Sequence, residues 1–424
     1  MNFIKNKNGF LADAFILTLG TSLAQLIPLI FYPILSRLFS PADFGILATL
    51  TSITGVIGVI ASGKYETVVL IAVNKINAAN IIGLALSLAL SFLMIVFVCF
   101  YFFSDQISIF FNEPTLKYWI FLCPFMAFFI CIYQCYNEWC VRNKYFTSLS
   151  LNKITNTSAV TLSKVTLGGI NLMGGLIIGD ILGRFISAVA CVYHALRIDR
   201  SFFFNLSFAR MKILAKRYKS CPFYIMPAQL LNTLGGELPI FLFAIYFNSS
   251  EIGYYSMALM VLSLPASVIS LAIRDVFRKR ANDEYIKYGN CKHIYIKTLS
   301  LLTILSIIGF SVFFVIAPAL FSTVLGDKWI LAGKYAQILC PMVAISFVTE
   351  VGSSMFIIAE KMKEAMWWQC CYLLLSIGFL SVGAFIFKDM VMALFCLMIG
   401  RSIAYLINWR MSYRFACCSK TLIA

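Results

Sequence analysis

Six ionisable residues, Lys164, Asp180, Arg184, Glu237, Glu350 and Arg401, stand inside long apolar runs where charge is ordinarily excluded. A charge at the centre of a membrane span costs about 2.5 kcal/mol or more, so such a group faces a cavity or a partner. Arg184 follows Asp180 by four residues, which puts both on one helix face where they can pair. Arg401 has no acid at helical spacing, so its partner must come from another element. A guanidinium is a planar fork of donors suited to phosphate oxygens; the bland alternative for both arginines is a helix-to-helix ion pair or a backbone contact that locks each half. Lys164 lies on a polar stripe with Thr157, Thr161 and Gly168, which reads as cavity-facing; the alternative is a lysine snorkelling to the outer interface. Glu237 sits in Gly235-Gly236-Glu237-Leu238-Pro239, where Gly and Pro weaken a helix and free backbone groups. There Glu237, and Glu350 likewise, could carry a coupling proton or bind Na⁺. The bland alternative for each is a satisfied structural carboxylate. Lys64, Glu66 and Asp13 fall at span ends, as helix anchors or as contacts for an anionic head.

The elements that must position these groups follow from composition. Of 424 residues, 12% are charged and 61% hydrophobic, with mean hydropathy +0.88. No soluble fold hides that much apolar surface, so the expected class is an all-α polytopic membrane protein. Runs of about twenty apolar residues predict twelve helices, near 11–35, 45–63, 80–103, 116–136, 154–171, 175–196, 222–246, 253–274, 296–320, 335–358, 366–387 and 391–411. The run from Phe10 to Phe39 is too long for a signal-peptide core and reads as a retained first span. The tryptophans Trp119, Trp139, Trp329, Trp367, Trp368 and Trp409 lie near predicted span ends, as interfacial belts do.

The net charge of +16 is topological and does not imply nucleic acid. With the N-terminus inside, the outer loops hold only Arg37, Lys117, Lys328, Lys334 and Lys388 of the 34 basic residues. Three more are within spans and the rest lie on the inner side. This predicts an even number of spans with both ends cytoplasmic. The stretch Arg210, Lys212, Lys216, Arg217 and Lys219 reads as an interfacial basic segment that attracts anionic lipid. The fourteen cysteines lack ligand spacing, so neither metal nor cofactor is expected. Loops too short for a folded extramembrane domain, and the lack of a Walker A sequence, argue against an enzyme and against an ATP-driven pump.

The chain also repeats itself. Phe39-Ser40-Pro41-Ala42-Asp43-Phe44-Gly45 matches Phe247-Asn248-Ser249-Ser250-Glu251-Ile252-Gly253, Phe111–Trp119 matches Phe321–Trp329, and Gly183-Arg184 matches Gly400-Arg401. The matches keep their order and predict two six-helix bundles, 1–208 and 209–424, around a central cavity.

The loop Phe39–Gly45, the stretch Gly253-Tyr254-Tyr255-Ser256-Met257-Ala258 with Leu264-Pro265, and Gly175-Leu176-Ile177-Ile178-Gly179 resemble the polysaccharide-transporter family. These are Wzx-type O-antigen flippases of the multidrug/oligosaccharidyl-lipid/polysaccharide superfamily, and the resemblance runs from Phe10 to about Tyr413. It implies two helical bundles that move an undecaprenyl-diphosphate-linked oligosaccharide from the cytoplasmic to the periplasmic leaflet of the bacterial inner membrane. On that reading Arg184, Arg401, Lys164 and Lys64 are the candidate substrate-binding cations. Glu237, Glu350, Asp180, Glu66 and Asp13 are the candidate ion-coupling acids. The expected partners are the lipid-linked substrate and the bilayer, with a polysaccharide polymerase and chain-length proteins as candidate protein partners. The runner-up is a multidrug exporter of the same superfamily. A non-transporting membrane protein of polysaccharide assembly is the weakest alternative.

Overall fold

The computed structural model describes the backbone of residues 3–203 and 205–417, and the side chains of residues 17–200 and 205–417. Asp13 therefore lies outside the described side chains. Among the described residues the fold is all helix, without a strand. The elements are α1 (Phe3–Leu38), α2 (Pro41–Ala61), α3 (Lys75–Phe110), α4 (Cys123–Arg142), α5 (Phe146–Gly169), α6 (Gly175–Phe203) and the short α7 (Phe208–Arg217). They continue with α8 (Met226–Tyr246), α9 (Ser249–Tyr288), α10 (Lys292–Leu320), α11 (Ile330–Gly352), α12 (Met362–Val382) and α13 (Met390–Cys417). Eleven of the described helices are long and apolar enough to cross a membrane. The remaining long helix is α5, which covers the predicted span 154–171. Asn152, Lys153, Asn156, Thr157, Thr161 and Lys164 make it too polar to qualify by composition. It packs between α1 and α6.

The first of the repeated sequence motifs proves to be a helix start in both halves. Ser40 caps α2 in a capping box: its side chain accepts from the Asp43 amide, and Asp43 accepts from the Ser40 amide at 2.9 Å. Asn248 caps α9 in the same way, accepting from the Glu251 amide at 3.0 Å. There the acid is turned elsewhere, accepting a hydrogen bond from the Tyr335 hydroxyl. One cap is a closed box and the other lends its acid to α11.

The chain forms two compact units, Met1–Leu234 and Gly235–Ala424, and the boundary falls within α8 at Gly235. The first unit has a core of Val69, Ala78, Ile81, Ala85, Trp139 and Cys140, where α3, α4 and a 3-10 turn (Tyr65–Ile71) meet. The core of the second unites Phe277, Tyr295, Leu299, Phe347 and Val351 from α9, α10 and α11. Two tryptophans assigned above to the interfacial belt are core residues instead. Trp139 and Trp329 are fully buried, and the Trp139 indole donates to Asp199 at 2.9 Å. Proximity to a span end does not reveal which way a ring points.

A close helix approach in the first unit is built on Gly175, Gly179 and Gly183, one face of α6 at four-residue spacing. A Cβ at Gly179 would lie 2.7 Å from Lys164 Cα, and one at Gly183 would overlap the Val160 backbone. Small residues at this spacing let two backbones meet in lipid, where packing replaces the hydrophobic drive. In the second unit a Cβ at Gly400 would lie 2.8 Å from the Leu375 carbonyl of α12. The repeated Gly-Arg pair thus marks, in each unit, a contact with the preceding antiparallel helix. Gly183→Ala is expected to push α5 from α6 and cost about 1–3 kcal/mol, while Gly236→Ala, with open space around it, stays near wild type. Thermal unfolding of the two purified variants in one detergent checks the difference; equal melting would refute the packing account.

Candidate functional site

The α5–α6 approach places three embedded charges together. Lys164 Nζ lies 2.7 Å from Asp180 Oδ1, and Arg184 Nε lies 2.5 Å from Asp180 Oδ2. The local Asp180–Arg184 pair expected from the sequence is present, and Lys164 joins it from α5. Asp180 is buried at 2% exposure. The Lys164 and Arg184 side chains keep some exposure, at 15% and 23%. Tyr32 of α1 stands within electrostatic reach of the carboxylate. Two cations on one acid leave the cluster with a net positive charge, and in a low-dielectric surround that field is weakly screened.

Arg401, at the matching place in α13, has a different solution. Leu397 occupies the position four residues before it, where α6 has Asp180. Arg401 is buried and makes no ion pair among the described residues; its Nη2 donates to the Gly235 carbonyl of α8 at 2.9 Å. Pro239 follows Gly235 by four residues and has no N–H, so that carbonyl lacks its helical donor. The guanidinium supplies the missing hydrogen bond. Its charge also lies 5.3 Å from the centre of the Tyr372 ring, and its Nε is 3.4 Å from Ser376 Oγ. Tyr255 and Tyr405 stand within electrostatic reach.

A third cluster occupies the break between α2 and α3. Gly63 and Lys64 both have positive φ, 57° and 58°. For lysine this left-handed conformation is uncommon, and it turns the ammonium back into the protein. Lys64 Nζ lies 3.1 Å from Glu66 Oε1 and 3.5 Å from Gln134 Oε1 of α4. The contact with Glu66 is an ion pair without hydrogen-bond geometry, since neither Glu66 oxygen has a hydrogen-bond partner. Glu138 of α4 is within electrostatic reach of both residues. Arg142 donates to the Val69 and Leu70 carbonyls at 2.8 and 3.1 Å and fixes the end of the turn.

Of the other expected acids, Glu350 pairs with Arg274 of α9 at 2.8 Å, both side chains partly exposed. Glu237 is half-buried on α8 and shares the Tyr255 environment with Arg401. Sequence reasoning did not assign Glu138, Arg274 as a partner, or the tyrosines around Arg401. The tyrosine shell had a signal: Trp368, Tyr372 and Ser376 recur every four residues on α12. Trp368 donates to the Ala404 carbonyl at 2.9 Å, so this stripe is what α13 packs against. The carbonyl-capping role can be separated from charge. Arg401→Met should cost about 1–3 kcal/mol by orphaning a buried acceptor. Adding Pro239→Ala, which restores an amide donor, should recover about 1 kcal/mol. Strictly additive melting shifts across that double-mutant cycle would refute the role.

Residues 34–334 match the model of a family described as polysaccharide biosynthesis protein. No curated protein matches the chain by sequence. Among solved structures, the lipid II flippase MurJ in an inward closed conformation is similar over 95% of this chain and 90% of its own. Its TM-score is 0.76 at 11% identity. An inward-facing multidrug resistance MATE family transporter of the MOP superfamily is similar over 96% of this chain and 99% of its own, with TM-score 0.70 at 11% identity. A MOP superfamily transporter from Pyrococcus furiosus, described by the reverse polarity of its binding pocket, covers 95% of each chain, with TM-score 0.61 at 13% identity. These likenesses establish the fold, a multi-pass helical membrane fold shared with MOP-superfamily transporters. By the match over most of its length, the chain belongs to the polysaccharide biosynthesis protein family.

Proposed function

We propose that this protein is a flippase that carries an undecaprenyl-diphosphate-linked oligosaccharide, an O-antigen or similar surface-polysaccharide unit, from the cytoplasmic to the periplasmic leaflet of the bacterial inner membrane. The carrying observation is the Lys164–Asp180–Arg184 cluster. It is a net-positive group at the depth of the spans, on a closely packed helix pair, with the two cations more exposed than the acid between them. Asp180 holds both cations in place while leaving the Arg184 Nη donors and two Lys164 protons for phosphate oxygens. Family membership supports the polysaccharide pathway, and a fold shared with a lipid II flippase supports movement of a lipid-linked substrate.

Arg401 contributes differently on this reading. Its position on the Gly235 carbonyl makes it a brace for α8, and Lys64, paired with Glu66, is the further candidate for the anionic head. Movement would proceed by ion-coupled alternating access, with both chain ends cytoplasmic. Glu237, Glu350 and Glu66 are the candidate coupling acids; Asp180, with each oxygen already on a cation, serves placement. Polymerase and chain-length proteins would take up the delivered unit. A multidrug exporter is the second reading, favoured by the likeness to MATE transporters and by the half-buried Glu237.

Deletion of the gene should leave lipid-linked oligosaccharide on the cytoplasmic leaflet and strip the surface polysaccharide. Arg184→Gln and Lys164→Gln, expressed at normal level, should each restore polysaccharide at least about tenfold less well than wild type, one lost charge-assisted contact being worth about 1.5–3 kcal/mol. Intact surface polysaccharide in the deletion strain, together with new sensitivity to organic cations, would select the exporter instead. Within the flippase reading, Glu237→Gln should abolish gradient-driven movement while substrate binding survives. An unchanged pH dependence of transport in that variant would remove Glu237 from the coupling role.

A further inference from the structure

The helix α7 is held to the first unit by fixed polar contacts. Asn80 of α3 donates to the Asn205 carbonyl at 3.3 Å and accepts from the Ser207 amide at 2.8 Å, so one side chain clasps the start of α7. The Tyr65 hydroxyl donates to the Ala215 carbonyl at 3.2 Å near its end. Burial pushes the Tyr65 hydroxyl pKa above its ordinary value, so it remains a donor through the physiological range. Leu214 is buried, and Met211 and Ala215 pack beside it on the α3–α4 core. These positions, with Tyr218, make one face of the helix.

The cations take the remainder of the surface. Arg210, Lys212, Lys216, Arg217 and Lys219 are all exposed and form no ion pair among the described residues. Arg217 lies 5.7 Å from the Tyr218 ring centre, a contact that keeps its charge. No acid occurs between Asn205 and Cys221. The basic end of α9 differs: Arg278, Lys279 and Arg280 are interspersed with Asp275, Asp283 and Glu284. Exposed apolar side chains stand among the α7 cations, Phe208 at 82% and Ile213 at 66%. They are followed by Phe223 and Tyr224, also exposed, at the start of the next span. Met211 and Leu206 meet α3 at Gly83, which places α7 at the level where that span begins. An apolar side chain with flanking cations at that depth is the pattern of a helix lying in the headgroup layer.

We propose that α7 and Lys219 form a fixed seat for anionic phospholipid headgroups, with the phosphates on the five cations and Phe208 and Ile213 among the acyl chains. Charge complementarity carries the choice of occupant: five cations without a neighbouring acid suit an anionic surface, and zwitterionic lipid gives no such gain. The clasp by Asn80 and Tyr65 makes the seat a fixed part of the first unit, so the bound lipids would anchor that unit in the interface. The seat is independent of which substrate the protein moves.

The test uses full-length protein in nanodiscs of phosphatidylcholine with a minor share of phosphatidylglycerol, then counts retained phosphatidylglycerol by native mass spectrometry. The triple variant Lys212→Gln/Lys216→Gln/Arg217→Gln should retain far less, with apparent affinity falling about fivefold for each charge removed. Lys216→Gln alone should fall between it and wild type. Arg278→Gln/Lys279→Gln/Arg280→Gln on α9 should stay near wild type, and all three variants should melt alike because the changed side chains are exposed. Wild-type retention by the α7 triple variant would overturn the proposal. So would an equal loss in the α9 variant, which would indicate general charge attraction. Displacement of phosphatidylglycerol by undecaprenyl phosphate at equal concentration would overturn it too, assigning the surface to the carrier lipid.

Discussion

A polar group inside hydrocarbon has no water to turn to, so each embedded charge or freed carbonyl requires a partner from the protein. That requirement organises both units. In the first, the acid that neutralises Arg184 lies on the same helix, one turn earlier, and a second cation arrives from α5. In the second, the acid position is Leu397, and Arg401 instead satisfies the carbonyl of Gly235, which Pro239 leaves without a helical donor. The same Gly-Arg motif therefore carries two electrostatic solutions with different remainders. The α5–α6 cluster keeps an uncompensated positive charge. The Arg401 site places one Nη2 donor on a backbone carbonyl, its Nε on a serine hydroxyl and its charge beside an aromatic ring.

That difference separates the chemistry available in the two units. An arginine bound to a neutral carbonyl beside a tyrosine ring is costly to remove and hard to redirect, because a ligand would have to replace a buried hydrogen bond and a cation–π contact together. Lys164 and Arg184 are shared on one carboxylate and keep donors to spare, so a phosphate can add to them without dismantling the cluster. Sequence symmetry between the halves is thus a symmetry of packing, set by Gly183 and Gly400, more than of ligand chemistry.

Much of the fold was legible because lipid imposes simple rules on sequence. The length of the apolar runs located the long helices, and the Asp180–Arg184 pair needed only the helical period. The motif around Ser40 and Asn248 was visible as a repeat, but its meaning as a pair of helix caps came from the hydrogen bonds. The partners of Lys164 and Arg401 were not legible in the same way. Lys164 meets Asp180 only because Gly179 and Gly183 fix the register of two antiparallel helices, and the carbonyl of Gly235 becomes a partner only when α13 lies against α8. Trp139 and Trp329 were misassigned for a related reason: a hydropathy profile locates a residue along the membrane normal and says nothing about its direction around the helix.

The polarity of α5 follows from the same constraint. A helix carrying Asn152, Thr157, Thr161 and Lys164 is a poor span by itself, yet it is flanked by α1 and α6. Asn152 and Thr161 are buried, so neighbours replace the water these groups would otherwise need. Lys164 depends on α6 for its partner, and α6 depends on its glycines for the close approach. A change that widened that gap would separate Lys164 from Asp180. Packing and the candidate site are in this sense a single structure: the glycine face that lets the helices meet is also what brings two cations onto one carboxylate.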